Sequence, residues 1–374
     1  MNERILLSPP NVGETEREAV VRAVDSGWIA PLGPEVDLLE SDFCDYLGVE
    51  SGSVAALSSG TAALELAYRI KGVVVGDPIL IPTFTFVATA NAAAYVGAEP
   101  IFIDADEATW NISIERTIET IDKMLAGGRP PKAVVAVEMY GTCSDWQGLR
   151  DHCRAYDIAL IEDSAEALGS SFDGQLAGTL ADVGVFSFNG NKIITCGGGG
   201  VLVGSPEVAE RARWLSTQAR EPVGYYEHKE LGFNYRLSNI SAAIARAQLA
   251  RLDEFVSRRR QIRARYVAGL EHLGIGFNPV PERSLPNSWL TVMIAPDGIE
   301  PDRIIDSLGS QGIESRRAWK PMHTQPLYAE AMKVGGKVAE SVFDRGVCLP
   351  SGSAMTDEQV DRVVSSVASV VEGY

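Results

Sequence analysis

The sequence predicts an α/β fold in which a mainly parallel seven-stranded sheet with one antiparallel strand is followed by a smaller α+β C-terminal domain. Two observations predict the sheet: short apolar runs recur over the first 204 residues, and helix-like segments separate them. Continuous apolar runs are typical of strands that are buried on both faces of a doubly wound sheet. The third observation is a change of pattern after about residue 255, where helices alternate with short strands.

Seven apolar runs are the predicted strands of the large sheet. In chain order they are VAAL (54–57), ILI (79–81), IFI (101–103), VVAV (134–137), IALI (158–161), VGVFSF (183–188) and GVLVG (200–204). Residues 189–199 are too few to form a crossover helix between the last two strands. The last strand is therefore expected to pair antiparallel within an otherwise parallel sheet.

The pattern of the C-terminal third predicts a second, smaller domain. Residues 239–272 are predicted to form one long helix, and its basic stretch is expected to be a solvated face. That stretch contains Arg258, Arg259, Arg260, Arg263 and Arg265. Beyond it we predict a strand at 289–294, a helix from Pro301, a strand-like segment at 313–316 and a C-terminal helix from Thr356. The predicted large domain is 1–255 and the small domain 256–374.

Composition excludes some classes of function. The formal net charge of −17 argues against a nucleic-acid partner, although local positive groups could still bind an anionic small molecule. Five cysteines without paired spacing predict reduced thiols in a cytoplasmic protein and no metal site. The N-terminus has no long apolar core and no apolar run approaches the length of a membrane span, so neither a signal peptide nor membrane insertion is expected.

A lysine stands in the short connection between the last two predicted strands, in FSFNGNKIITCGGGGVLVG (186–204). The polar turn 189–191 precedes Lys192, and four glycines, 197–200, follow it. One interpretation is the tip of a surface hairpin. The other is an amine beside a ligand, because glycines let the backbone approach a ligand closely and a lysine amine can form a Schiff base.

Three further segments carry groups that suit a ligand. Asp163 ends an apolar strand, where α/β sheets place ligands, although it could instead cap a helix or pair with an arginine. Glu166 follows three residues later and is expected on the same side. SSGTAALELA (58–67) opens a helix whose N-terminus could bind phosphate, although Ser and Thr cap helices everywhere. Phe84 and Phe86 either pack in the core or stack on a cofactor ring.

Together these segments offer an amine for a Schiff base, a carboxylate for a pyridinium proton and a cradle for phosphate. Those are the three groups that pyridoxal phosphate requires of its protein. The sequence therefore predicts pyridoxal 5′-phosphate as the cofactor.

The segments jointly resemble the nucleotide-sugar aminotransferases, whose pyridoxal-phosphate fold is of the aspartate aminotransferase type. The resemblance covers nearly the whole chain. Its segments are SGWIAPLGPEV (26–36), SSGTAAL (58–64), PTFTFVATANAAAYVGAEPIFIDAD (82–106), EDSAEALG (162–169), GTLADVGVFSFNGNKIIT (178–195), GFNYRLSNISAAIARAQL (232–249) and RRAWKPMHTQPLY (316–328). Seven ordered motifs at matching spacing make the resemblance specific.

The resemblance implies a role for each matching position. Lys192 is implied as the Schiff-base lysine that also transfers the proton, and Asp163 as the partner of the pyridinium nitrogen. The other implied cofactor contacts are Phe86 and Ala165 on the two ring faces, Glu166 near the O3′ substituent, Gly60, Thr61 and Ser187 at the phosphate, and Asn234 from a neighbouring subunit. The implied substrate contacts are Trp28, Ile29, Ala30, Arg236, Trp319, Lys320 and His323. A homodimer with two shared active sites follows from the role of Asn234.

The resemblance also implies the reaction. STQARE (216–221), YEHKELGFNYRLSN (226–239) and CLPSGSAM (348–355) are similar to members that move the amino group of L-glutamate to C4 of a UDP-linked 4-keto-6-deoxy-N-acetylhexosamine. A GDP- or dTDP-linked keto sugar is the alternative substrate. The sequence also leaves open a sugar dehydratase, whose relatives replace the lysine by histidine, a non-catalytic protein that binds nucleotide sugars, and a dinucleotide-dependent oxidoreductase, for which the GxGxxG fingerprint is missing.

Overall fold

A computed structural model describes residues 4–373. The helices of this region are α1 (Glu14–Asp25), α2 (Pro34–Leu47), α3 (Gly60–Ile70), α4 (Val87–Tyr95), α5 (Ile114–Ala126), α6 (Gln147–Ala155), α7 (Pro206–Ser216), α8 (Asn239–Leu249), α9 (Leu252–Leu270), α10 (Pro301–Ser310), α11 (Lys337–Arg345) and α12 (Asp357–Glu372). The strands are β1 (Val54–Leu57), β2 (Pro78–Pro82), β3 (Glu99–Ile103), β4 (Ala133–Val137), β5 (Ala159–Asp163), β6 (Ser171–Phe172), β7 (Gln175–Leu176), β8 (Val183–Ser187), β9 (Gly200–Val203), β10 (Gly276–Phe277), β11 (Ser284–Leu285), β12 (Thr291–Ile294), β13 (Arg316–Arg317), β14 (Lys333–Val334) and β15 (Gly346–Leu349).

The large sheet has the strand order β1-β9-β8-β5-β4-β2-β3-β14. All seven predicted strands are present, and β9 pairs antiparallel with both β1 and β8, as the short 189–199 connection predicted. The sheet has an eighth strand at its edge, because β14 from the C-terminal part pairs parallel with β3. This two-residue strand has no apolar run of its own, so the sequence pattern did not indicate it.

The C-terminal part forms a second sheet of order β10-β12-β15-β13, in which every pairing is antiparallel. Its core includes Ile262, Met293, Leu349 and Val363. The predicted helices from Pro301 and Thr356 are confirmed, and the Thr356 hydroxyl caps α12 by accepting a hydrogen bond from a backbone N–H. The predicted strand at 289–294 is confirmed as β12, whereas the strand predicted at 313–316 begins only at residue 316.

The predicted long helix at 239–272 is two helices, α8 and α9, because their apolar faces pack in different places. Helix α8 packs against α1 and α2. Helix α9 contributes Phe255 to the core beside the large sheet and Ile262 and Tyr266 to the core of the small sheet. The boundary predicted at residue 255 falls inside this bridging helix, so the division into two domains stays a prediction.

The expectation of a solvated arginine face on α9 is wrong for Arg259, which is fully buried. Half-buried arginines at 258, 260 and 263 donate to backbone carbonyls. Arg265 does lie at the surface, where it pairs with Asp361. Helical periodicity places these arginines on different faces, and the face that carries Arg259 packs inward against Trp289.

Two properties of the whole chain bear on its environment. Across residues 4–373, no helix combines the length and the hydropathy that crossing a membrane requires. All five cysteines are buried and unpaired.

Gly200 allows the start of β9 to lie against the start of α3. A Cβ atom at this position would overlap the Phe186 carbonyl oxygen and lie 2.8 Å from the Gly60 nitrogen. We expect Gly200→Ala to lower the free energy of unfolding by about 1–3 kcal/mol, the usual effect of overpacking. Denaturant unfolding measures this. Gly148→Ala is the control, because a Cβ there meets nothing within 4 Å, and an equal loss in both variants would contradict the prediction.

Candidate active site

A cavity of about 270 Å³ opens at the carboxyl end of β5, beside the first turn of α3. Strand β5 supplies a carboxylate, α3 its N-terminus, and the connection after β8 a lysine. Every predicted catalytic or cofactor residue except Asn234 lines this cavity: Gly60, Thr61, Phe86, Asp163, Ala165, Glu166, Ser187 and Lys192. The fold therefore brings together residues from four separate segments of the chain.

Lys192 lies inside the protein and not at the tip of a surface hairpin. Its backbone N–H donates to the Asn189 carbonyl at 3.0 Å, which closes the turn, and its side chain is 10% exposed. The Nζ atom lies 3.6 Å from Glu166 Oε1 and 4.1 Å from the ring centroid of Trp289. The amine is thus held between a carboxylate and an aromatic face at the wall of the cavity.

Asp163 is buried at the end of β5 and directs its carboxylate to the cavity. The Thr89 hydroxyl donates to Oδ2 at 2.7 Å, and the Ala165 N–H donates to Oδ1 at 3.1 Å. Burial raises the pKa of Asp163, whereas these two hydrogen bonds and the charge of Lys192 act to lower it. A buried carboxylate whose bonds come from neutral donors is suited to balance a positive group that enters the cavity.

Glu166 forms the second carboxylate of the site. Its Oε2 atom accepts from the Tyr140 N–H at 2.8 Å, and its Oε1 atom faces Lys192. Burial raises the pKa of Glu166. The charge of Lys192 and the hydrogen bond from the Tyr140 N–H act to lower this pKa, whereas the charge of Asp163 raises it further. Tyr140 has a φ of 51°, and a positive φ of this kind in a non-glycine residue is characteristic of functional sites.

The start of α3 can hold an anion. Ser59 caps the helix by accepting a hydrogen bond from the Ala62 N–H at 3.0 Å. The N–H groups of Gly60 and Thr61 have no acceptor within the helix, because they belong to its first turn. A Cβ on Gly60 would lie 2.9 Å from the Cβ of Ser187. Because residue 60 is glycine, the Ser187 side chain can lie close to these N–H groups. The hydroxyl and the N–H groups together suit a phosphate. With the amine of Lys192 and the carboxylate of Asp163, the cavity fits pyridoxal phosphate.

The two aromatic residues of the PTFTF segment have different roles. Phe84 is fully buried and packs edge-on against Trp110 and Tyr140. Phe86 is 52% exposed at the cavity, and its ring centroid lies 5.9 Å from that of Trp319. Phe84 is thus a core residue, and Phe86 forms the wall against which a flat ring could stack.

Two groups of predicted residues do not reach this cavity within one chain. Trp28 and Ile29 are exposed, and Asn239 donates to the carbonyls of Trp28 and Ala30. Asn234 is also exposed. The Arg236 guanidinium is engaged elsewhere, because it donates to Glu40 and, at 2.9 Å, to the Ala56 carbonyl.

The C-terminal segment lies over the cavity through Trp319. The backbone N–H of Trp319 donates to the Tyr140 hydroxyl at 3.0 Å, while Lys320 is half-buried. His323 is buried deeper: Nδ1 lies 2.6 Å from Thr83 Oγ1, and Nε2 lies 2.7 Å from Glu340 Oε1. Both ring nitrogens of His323 therefore have partners within the chain, so this residue anchors the segment against β2.

Three residues of the site were not predicted. The four-residue spacing of Thr85 and Thr89 in the sequence is the one signal that could have indicated Thr89, and in the structure the two hydroxyls lie 2.8 Å apart. Tyr140 and Trp289 had no signal in the sequence. They reach Glu166 and Lys192 from distant parts of the chain.

Comparison with known proteins agrees with this geometry. Residues 10–368 match the DegT/DnrJ/EryC1/StrS aminotransferase family. The chain is 45% identical over 370 residues (97% of this chain, 95% of the relative) to EpsN of Bacillus subtilis (strain 168), provisionally assigned as a pyridoxal phosphate-dependent aminotransferase. It is 34% identical over 374 residues (98% of each) to the GDP-perosamine synthase of Caulobacter vibrioides.

A solved structure shows the same fold. The aminotransferase TlmJ from Streptoalloteichus hindustanus superposes with a TM-score of 0.92 at 33% identity, covering 99% of both chains. Family, relatives and fold agree with a cavity that gathers a lysine, a buried aspartate and a phosphate cradle. The chain therefore belongs to the DegT/DnrJ/EryC1/StrS aminotransferase family and is a pyridoxal-phosphate-dependent sugar aminotransferase.

Proposed function

We propose that this enzyme moves the amino group of L-glutamate to C4 of a UDP-linked 4-keto-6-deoxy-N-acetylhexosamine. The product is a UDP-linked 4-amino sugar for the synthesis of surface glycans or glycoproteins. The cavity carries the chemistry in this proposal, because it holds Lys192, Asp163 and the α3 N-terminus together. The choice of sugar is supported by the resemblance of 216–221, 226–239 and 348–355 to the UDP-N-acetylbacillosamine transaminases.

The proposed roles follow from the positions of the side chains. Bound pyridoxal phosphate supplies an electron sink for the carbon that loses or gains a proton. Asp163 would hold the positive charge at the ring nitrogen, and the Gly60 and Thr61 N–H groups with the Ser187 hydroxyl would bind the phosphate. Phe86 and Ala165 would enclose the ring, and Glu166 would serve its O3′ side. The remaining residue is Lys192, whose Nζ takes the proton from Cα of glutamate and delivers a proton to C4 of the sugar.

A homodimer in the cytoplasm completes the proposal. Trp28, Ile29, Ala30 and Asn234 are exposed and do not reach the cavity of their own chain. A second copy could present them to it, whereas Arg236 is held in its own chain by Glu40 and the Ala56 carbonyl. Mixing inactive Lys192→Ala and Asn234→Ala subunits tests this, since shared sites would restore activity in mixed dimers and separate sites would not.

Trp319, Lys320 and His323 form the proposed sugar-nucleotide side of the pocket. Trp319 lies beside Phe86, so it can contact a sugar that is bound over the cofactor. Lys320 offers a positive charge to the diphosphate, and His323 holds the segment in place through Thr83 and Glu340.

A GDP-linked keto sugar is the second candidate. It is favoured by the 34% identity, over 98% of each chain, with the GDP-perosamine synthase of Caulobacter vibrioides. That similarity spans the segments that would contact the nucleotide, so only a direct comparison of substrates separates the two.

The test supplies the purified enzyme with pyridoxal phosphate, L-glutamate and, in turn, UDP-, GDP- and dTDP-linked 4-keto-6-deoxy sugars. Mass spectrometry follows the amino-sugar product, with Lys192→Ala as the control. We expect product with the UDP sugar that Lys192→Ala does not form. Conversion of the cofactor by glutamate without that product would reject the UDP sugar and keep the aminotransferase. A GDP-amino sugar alone would establish the second candidate.

A further inference from the structure

We propose that Arg259 is a positioning residue for Lys192, acting through Ser8 and Trp289 on the peptide bond that carries the lysine. The proposal rests on the proposed role of Lys192 as the amine that engages the cofactor. It goes beyond that role because Arg259 lies on α9, outside the cavity. A positioning residue of this kind links the C-terminal part of the chain to the chemistry of the large sheet.

Arg259 is unusual for a charged residue. It is among the largest fully buried side chains of the protein, with 2% exposure, and within residues 4–373 its hydrogen-bond partners are neutral. Nη1 donates to the Trp289 carbonyl at 2.6 Å, and Nη2 donates to the Ser8 hydroxyl at 3.1 Å. Burial lowers the pKa of the guanidinium to about 9, so it remains charged at neutral pH. An apolar side chain of similar volume would avoid this desolvation, so stability alone does not explain an arginine here.

Both partners of Arg259 converge on one atom, the carbonyl oxygen of Asn191. The Ser8 hydroxyl donates to it at 2.8 Å, and the Trp289 indole N–H donates to it at 2.7 Å. Asn191 directly precedes Lys192, so this carbonyl belongs to the peptide that bears the lysine. The ring of Trp289 also faces the Lys192 amine at 4.1 Å. Through Ser8 and Trp289, Arg259 thus positions the backbone carbonyl that precedes Lys192. Through the ring of Trp289 it also positions the Lys192 amine.

The same segment also reaches the backbone of Glu166, the residue that bears the second carboxylate of the site. The backbone N–H of Trp289 donates to Asn287 Oδ1, and Asn287 Nδ2 donates to the backbone carbonyl of Glu166 at 2.9 Å. A shift of residues 287–289 would therefore move both Lys192 and Glu166. The planar fork of an arginine reaches two acceptors in fixed directions, whereas a lysine offers a point charge. The two acceptors, the Trp289 carbonyl and the Ser8 hydroxyl, therefore suit an arginine at position 259.

The test compares Arg259→Met and Arg259→Lys with Arg265→Met on the same helix. Arg265 is 41% exposed and pairs with Asp357 and Asp361 at the surface, so its replacement is the matched control. Four properties are measured: thermal unfolding, the affinity for pyridoxal phosphate, the pH titration of the visible absorbance of the bound cofactor, and the rate at which glutamate converts that cofactor. The first shows whether each variant folds. The other three report on Lys192 without any sugar substrate.

We expect both Arg259 variants to fold, to bind the cofactor about tenfold more weakly, and to convert it with glutamate about 10- to 100-fold more slowly, as misplacement of a reacting group predicts. Their absorbance titration should shift from that of the wild type, and Arg265→Met should match the wild type. An Arg259→Met protein that folds and keeps the wild-type titration and affinity would overturn the proposal.

Two further variants keep the proposal testable if Arg259→Met does not fold. Trp289→Phe removes the indole N–H and keeps an aromatic ring, and Ser8→Ala removes the other donor to Asn191. Both should shift the titration in the same direction as Arg259→Lys, and unchanged titrations in both would refute the proposed path. Lys192→Ala separates this result from the role of the lysine itself. If its cofactor absorbance equals that of the wild type, the role of Lys192 fails, whatever Arg259 does.

Discussion

Lys192→Ala is expected to lower the rate of amino transfer by about 10³-fold or more, because it removes the group that we propose carries the proton. Among the described residues that line the cavity, no second amine can replace it. The side chain borders the cavity, so its loss enlarges a space that already exists and should change the fold little. The measurement is the single-turnover conversion of the bound cofactor by L-glutamate, followed by absorbance.

The control for Lys192→Ala is Lys123→Ala. Lys123 is a surface lysine with a side chain that is 76% exposed, and its replacement should leave full activity. Added small primary amines should restore part of the activity of Lys192→Ala, because the cavity would admit them in place of the side chain. A Lys192→Ala enzyme that turns over at the wild-type rate without added amines would remove this lysine from the mechanism.

Asp163→Asn is expected to lower the same rate by about 10²- to 10³-fold, the usual effect of removing one preorganised electrostatic group. The amide has the shape of the carboxylate and can still bond to Thr89 and Ala165. It cannot supply the negative charge that, in the proposed role of Asp163, keeps a proton on the ring nitrogen. Near wild-type rates in Asp163→Asn, with the cofactor fully bound, would contradict this role.

The same substitution should stabilise the protein without cofactor. Burial raises the pKa of Asp163 above its ordinary value of 3.8, so between these two values the unfolded chain holds fewer protons than the folded chain. The free energy of unfolding therefore falls as pH rises through that window. Asparagine does not ionise, so Asp163→Asn should have the higher Tm above the window, and the difference should shrink as pH falls towards 4.

Thermal unfolding of the cofactor-free protein at several pH values measures this effect. A gain of about 1 kcal/mol would appear as about 2 °C in Tm for a chain of this size. Asp306→Asn is the control, because Asp306 is exposed on α10 and its replacement should change Tm little at any pH. A Tm of Asp163→Asn below that of the wild type at neutral pH would show that the carboxylate is not penalised by burial.

Much of the site could be predicted because each of its groups is close in sequence to the end of a buried strand. Asp163 ends β5, Gly60 follows β1, and Lys192 follows β8. The carboxyl ends of such strands meet at one edge of an α/β sheet, so local patterns place their side chains together. The antiparallel β9 was predictable for a similar reason, since the length of a connection limits how it can cross a sheet.

The rest could not be predicted, because it depends on contacts between segments that are far apart in the chain. Trp289 beside Lys192, Tyr140 beside Glu166 and the burial of Arg259 have no local pattern. Periodicity identified α9 as a helix but could not show which of its arginines face inward, because an arginine side chain can snorkel as well as pack.

The sequence by itself thus determined the class of fold, seven of the eight strands of the large sheet and the cofactor chemistry, because these depend on short apolar runs and on residues beside them. Only the tertiary structure decided that Lys192 is buried and not at a hairpin tip, that Phe84 packs in the core while Phe86 faces the cavity, and that Arg259 lies beneath Trp289. The physical reason is that burial is a property of what packs against a residue, and those neighbours come from other parts of the chain.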